Sequence, residues 1–153
     1  SRAWGLPPIA LTIVLHVAVL AWFAALLARA GRWIDDARLR PRREQLLVVA
    51  GIGVLGAALA RLHGLEAGLW AGAYLLVGAI DSPADAMLYS IDSITTRGAS
   101  GITLAPLWVL LGALEAANGM LLFGISTAFL AVLLSDVRLW FQRRAARDRC
   151  VDD

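Results

Sequence analysis

Residues 8–28, PIALTIVLHVAVLAWFAALLA, contain no charged side chain. At 1.5 Å rise per residue, a helix of about 20 residues covers the roughly 30 Å of a bilayer's hydrocarbon core. Two further apolar blocks follow, at about 45–80 and 107–134. Lipid offers the backbone no hydrogen bonds, so a segment that crosses it must satisfy its own, which an α-helix does. The chain is 59% hydrophobic, where a soluble domain is about 45–50% apolar. These blocks predict an all-α membrane protein with three transmembrane helices. A signal peptide competes for the first block, because Ala28-Arg29-Ala30 resembles a cleavage site. The block outlasts the usual apolar core of about 7–15 residues, and arginines follow it at once, so an uncleaved span is favoured.

Charge sets the orientation. All 14 basic residues are arginine. The polar stretch 29–44 (RAGRWIDDARLRPRRE) holds six of them and the stretch from Asp136 onward holds five; between Ile80 and Thr103 there is one, against three aspartates. The positive-inside rule puts the first loop and the C-terminal stretch of this multi-pass chain in the cytoplasm, and its N-terminus and residues 81–103 outside. A formal net charge of +2 gives a nucleic acid no electrostatic footprint.

The second block exceeds a perpendicular span, and Arg61, His63 and Glu66 lie in its middle. As one long tilted helix it places His63 and Glu66 on one face at i, i+3, and Arg61, His63 and Glu66 are expected as buried polar groups that face protein or water and pair with one another. A break near Gly64 is the second choice. Gly68 and Gly72 form a small-xxx-small pair suited to close helix approach. His16, in the first block, is expected to hydrogen-bond a neighbouring helix as a neutral imidazole.

Residues 81–103 are neither a span nor an ordinary loop. Asp81, Ser82 and Pro83 signal a helix start, with Asp85 in its first turn. The helix this predicts, about 84–94, is too short to cross, which makes it re-entrant. Thr95, Thr96, Arg97, Gly98, Ala99, Ser100 and Gly101 then read as irregular backbone, which membranes tolerate only inside protein or beside a watery cavity. In the third block Glu115, Asn118, Ser126 and Thr127 gather near one side, and Gly119 is a hinge or a close-packing position. The spacing of histidine and cysteine suggests no zinc motif or cofactor. No nucleophile–base pair or phosphate loop points to an enzyme. The single Cys150 allows no internal disulfide.

Residues 67–134 resemble the pore of the bacterial two-transmembrane potassium-channel family, in the proteobacterial form with an extra N-terminal helix. Family members read something like DALYFSLVTYTTLGYGD through the pore, and residues 85–101, DAMLYSIDSITTRGASG, align with that without a gap. LLGALEAANGMLLFGISTAFL, 110–130, is similar to the family's inner helix, and RLHGLEAGLWAGAY, 61–74, to its outer helix. The resemblance implies an N-terminal helix and arginine-rich loop over 1–44, a pore domain over 45–135 and a basic cytoplasmic tail over 136–153. It implies a homotetramer in membrane lipid of the bacterial inner membrane, with a pore helix and a filter-like loop at its axis.

The filter itself departs from the family pattern. Thr96 and Gly98 match it, whereas Arg97 replaces valine or leucine, Ala99 tyrosine, Ser100 the second glycine and Gly101 aspartate. Ser100 is expected to resist a positive φ. Arg97 brings a permanent charge to a path built for cations. Asp92 stands on the pore helix where some potassium channels keep a buried carboxylate, so Asp92 and Arg97 are expected to pair behind the turn. Two functions follow as expectations: a pore with altered ion selectivity, its permeating ion unknown, or a non-conducting scaffold or accessory subunit among other membrane proteins.

Overall fold

The computed structural model describes residues 5–37 and 40–152. Four helices follow one another: α1 (Leu6–Asp36), α2 (Pro41–Leu76), α3 (Pro83–Ile94) and α4 (Val109–Asp152), with no strand among the described residues. Three are long and apolar enough to cross a membrane, over Leu6–Asp35, Arg42–Leu76 and Val109–Arg144. The protein is an all-α membrane protein.

Local chemistry sets the helix starts. Pro41 opens α2, preceded by Arg40 in extended conformation (φ −63°, ψ 142°); a residue before proline is pushed out of the helical region, and proline at the first position loses no bond. The polar stretch 29–44 is therefore mostly helix, with Arg29 and Arg32 on the end of α1 and Arg42 and Arg43 on the start of α2. Helix α2 runs unbroken through Gly64. Ser82 caps α3, its side chain accepting from the Asp85 amide at 3.3 Å, with Pro83 next and Asp85 in the first turn. At 12 residues, α3 is about 18 Å long and cannot span. Helix α4 continues past Asp136 to Asp152.

The chain divides into two compact units, residues 1–122 and 123–153. In the first, Trp70, Ala71, Tyr74, Ile80, Ala86 and Leu111 form one buried cluster, and Ala67, Ile94 and Leu122 a second. Helix α3 packs on α4 at two glycines: a Cβ on Gly112 would collide with the Tyr89 hydroxyl, and one on Gly119 with the Ile94 carbonyl. In the second unit Thr127 Oγ1 donates to the Phe123 carbonyl at 2.8 Å, Trp140 and Phe141 meet edge to face at 4.8 Å, and the Arg144 guanidinium lies 5.3 Å from the Trp140 ring centre.

Polar side chains share the interior with the apolar clusters, and many large apolar side chains lie on the outside. Thr12, His16, Glu66, Ser90, Asp92, Glu115 and Asn118 are buried, while Val14, Val54, Leu65, Met120 and Leu121 are exposed. Lipid is as apolar as leucine, so apolar side chains gain little by facing inward, and it is the polar groups that need protein neighbours.

Candidate pore turn and its polar supports

The turn 95–101 begins where α3 runs out. Thr95 closes the helix, its hydroxyl donating to the Ile91 carbonyl at 2.6 Å. Thr96 takes φ +56° and Gly98 +66°, while Arg97 and Ala99 keep ordinary negative values. A threonine in left-handed conformation costs about 1–2 kcal/mol, and β-branching makes it unusual. The strain falls on Thr96, not on Ser100; the next positive φ, +73°, belongs to Gly101, which accepts it freely. No backbone amide among the described residues donates to the carbonyls of Thr96, Arg97, Gly98 or Ala99, and these four residues are exposed on the chain.

Asp92 holds the turn. Its Oδ1 accepts from Arg97 Nε at 2.6 Å, its Oδ2 from the Ser100 amide at 2.9 Å, and its backbone carbonyl from the Arg97 amide at 2.9 Å. One residue thus fixes both ends of the Arg97–Ser100 segment. The pair is buried only at its acid end, since the Asp92 side chain is 5% exposed and that of Arg97 60%. The reason is reach: bonding through Nε leaves the outer guanidinium nitrogens beyond the carboxylate. Helix α3 does not span, and Asp92 sits at its end. Burial opposes ionisation of this carboxyl, but the Arg97 guanidinium and the Ala99 and Ser100 amides outweigh it, holding the pKa at about 2, below the usual carboxylate range.

A second carboxylate ties three helices behind α3. Glu115 of α4 is fully buried and accepts from the Tyr74 hydroxyl of α2 at 2.7 Å and from the Ser90 hydroxyl of α3. Ser90 Oγ also lies 2.7 Å from the Ala67 carbonyl, and Ser93 Oγ donates to the Gly112 carbonyl at 3.1 Å. The sequence singles out Glu115 but not Tyr74 or Ser90. Their signal was the buried carboxylate itself, which needs donors from its neighbours. Asn118 Nδ2 donates to Thr12 Oγ1 at 2.8 Å, linking α4 to α1. Gly119 is a close-packing position, given its collision course with Ile94. A Cβ added at Gly68 or Gly72 would meet nothing within 4 Å among the described residues.

The polar residues of α2 divide. Glu66 is fully buried; its Oε1 lies 2.7 Å from His16 Nδ1 on α1 and its Oε2 3.1 Å from His63 Nδ1. Arg61, expected to be buried, is exposed. Five residues of helix rotate it about 140° from Glu66, to the opposite side of α2. Protein-family models, curated proteins and solved structures offer no match to this chain.

Proposed function

We propose that the chain is a potassium-channel-like pore protein that assembles as a homotetramer, with α3 as its pore helix and residues 95–101 as the lining of its axis. The observation that carries this reading is the exposed turn from Thr96 to Ala99, whose four carbonyls accept from no backbone amide among the described residues and which Asp92 holds in place. Left against lipid, each such group costs several kcal/mol. Against a watery axis shared by four copies, the same groups replace part of an ion's hydration shell. The resemblance of residues 67–134 to the potassium-channel pore supports the same assembly.

The pore is not of potassium type. Ala99 and Ser100 supply neither the aromatic brace nor the glycine of the family filter, and Arg97 adds four positive charges per tetramer. Because Arg97 is tied by Nε to Asp92, that charge is largely offset at the turn. We expect a weakly selective cation path. Flux assays in liposomes with potassium, sodium and chloride gradients test this: movement of both cations without chloride supports it. The high exposure of Arg97 favours a second reading, a non-conducting subunit whose Arg97 meets an acidic group of another membrane protein. Liposomes impermeable to all three ions would favour that one.

A further inference from the structure

We propose that His16, His63 and Glu66 form a binding site for a divalent transition-metal ion of the zinc type, joining the N-terminal helix α1 to α2. One ligand atom from each of the three lies within 4.8 Å of the others. The two imidazoles stand side by side, ring centres 5.3 Å apart and tilted by 39°, and each presents Nδ1 to a different oxygen of the same carboxylate. His16 and Glu66 are fully buried and the His63 side chain is 11% exposed. Glu66 Oε2 takes no hydrogen bond among the described residues, although His63 Nδ1 is 3.1 Å away. A buried carboxylate in a membrane protein requires compensation by charge or hydrogen bonds, and a bound dication provides it to both oxygens together.

The ligand chemistry selects the metal. Two neutral imidazoles and one carboxylate suit zinc, copper, nickel or iron, whereas magnesium and calcium prefer all-oxygen sites. Tetrahedral zinc with bonds of about 2.0–2.2 Å needs ligand atoms about 3.3 Å apart. The 2.7 and 3.1 Å contacts are to different carboxylate oxygens; with the three ligand atoms within 4.8 Å of one another, side-chain rotations bring them to that spacing. Three protein ligands leave a fourth coordination position. Helical registers agree: His16 lies roughly 20 residues from the end of α1 and His63 roughly 20 from the start of α2, so both stand about 30 Å from the connection at 38–40. The site depends on α1 and α2 only, and so stands apart from the pore reading.

The sequence contains two histidines, so imidazole ligation identifies the site by itself. The experiment uses the full chain with a histidine-free affinity tag and Cys150→Ser, in detergent, stripped by chelator and titrated with zinc chloride. The expected result is one zinc per chain, undiminished by excess magnesium or calcium, with two imidazoles in the X-ray absorption spectrum. His63→Gln and Glu66→Gln should each weaken binding by about 10–100-fold or more. Absence of stoichiometric uptake by the parent chain overturns the site, leaving a hydrogen-bonded His–Glu–His cluster. So does uptake without imidazole ligation, or uptake that both substitutions leave intact. The absorption spectrum of the parent chain decides the matter even if a variant fails to fold.

Discussion

Asp92 accepts from Arg97 Nε at 2.6 Å with one oxygen and from the Ser100 amide at 2.9 Å with the other. The two bonds are not equivalent: the first joins side chains at a largely exposed guanidinium, and the second fixes backbone. Removing the acid should therefore damage the turn more than removing the base.

Asp92→Leu should destabilise the assembly more than Arg97→Leu, because only the former frees the Ser100 amide. The double variant should be less damaging than Asp92→Leu alone, since it leaves no charge without its partner. Hydrogen exchange gives a residue-level check: the Ser100 amide should lose protection in Asp92→Leu and keep most of it in Arg97→Leu. Equal exchange in both variants would contradict the division of roles.

The same carboxylate sets an acid limit. Its pKa in the folded chain is depressed, to about 2, below the roughly 3.9 of a free aspartate. The unfolded state binds the proton more readily, so the stabilisation from Asp92 is fully present above about pH 4 and is lost as pH falls toward 2. The gap in melting temperature between the parent chain and Asp92→Asn should stay constant from pH 7 to about 5, then narrow on further acidification. A gap that widens on acidification would show the opposite sign of linkage.

Glu115 should resist apolar replacement. Glu115→Leu leaves the buried Tyr74 hydroxyl without its acceptor, at about 1–3 kcal/mol, whereas Ser90 keeps the Ala67 carbonyl. Glu115→Gln keeps one acceptor oxygen and should lose less than half as much. Thermal unfolding in detergent measures both. Adding Tyr74→Phe to Glu115→Leu should recover part of the loss.

Glycine positions give a packing test. Gly119→Ala drives a methyl against the Ile94 carbonyl and should cost about 1–3 kcal/mol or displace α3. Gly68→Ala, with nothing within 4 Å of the added atom, should be neutral within the chain. If Gly68→Ala instead weakens oligomers, Gly68 belongs to a contact between copies.

The spans and the short α3 were legible from run length and capping residues, since a bilayer fixes how many apolar residues a crossing takes. The partners of Glu115 and Glu66 were not. His16 and Glu66 are 50 positions apart, and what joins them is the antiparallel register of α1 and α2, which no local spacing encodes. Close histidine and cysteine spacings are blind to this cluster for the same reason, since His16 and His63 stand on different helices. Arg61 was misplaced for a related reason: α2 is apolar nearly all round, so its sequence does not fix which side meets protein. The strain was expected on Ser100 because a gap-free alignment assigns each residue the family's backbone angle. With Gly101 one step further on, the chain places the positive φ there and leaves Ser100 relaxed.

Native mass spectrometry of the chain released from its own membranes tests the pore reading most directly. Four 16.3 kDa copies, roughly 65 kDa together, is the expected species. It should fall apart more readily in Asp92→Leu. A monomer, or one copy bound to unrelated subunits, would contradict a pore closed by four turns and would make residues 95–101 a docking surface instead.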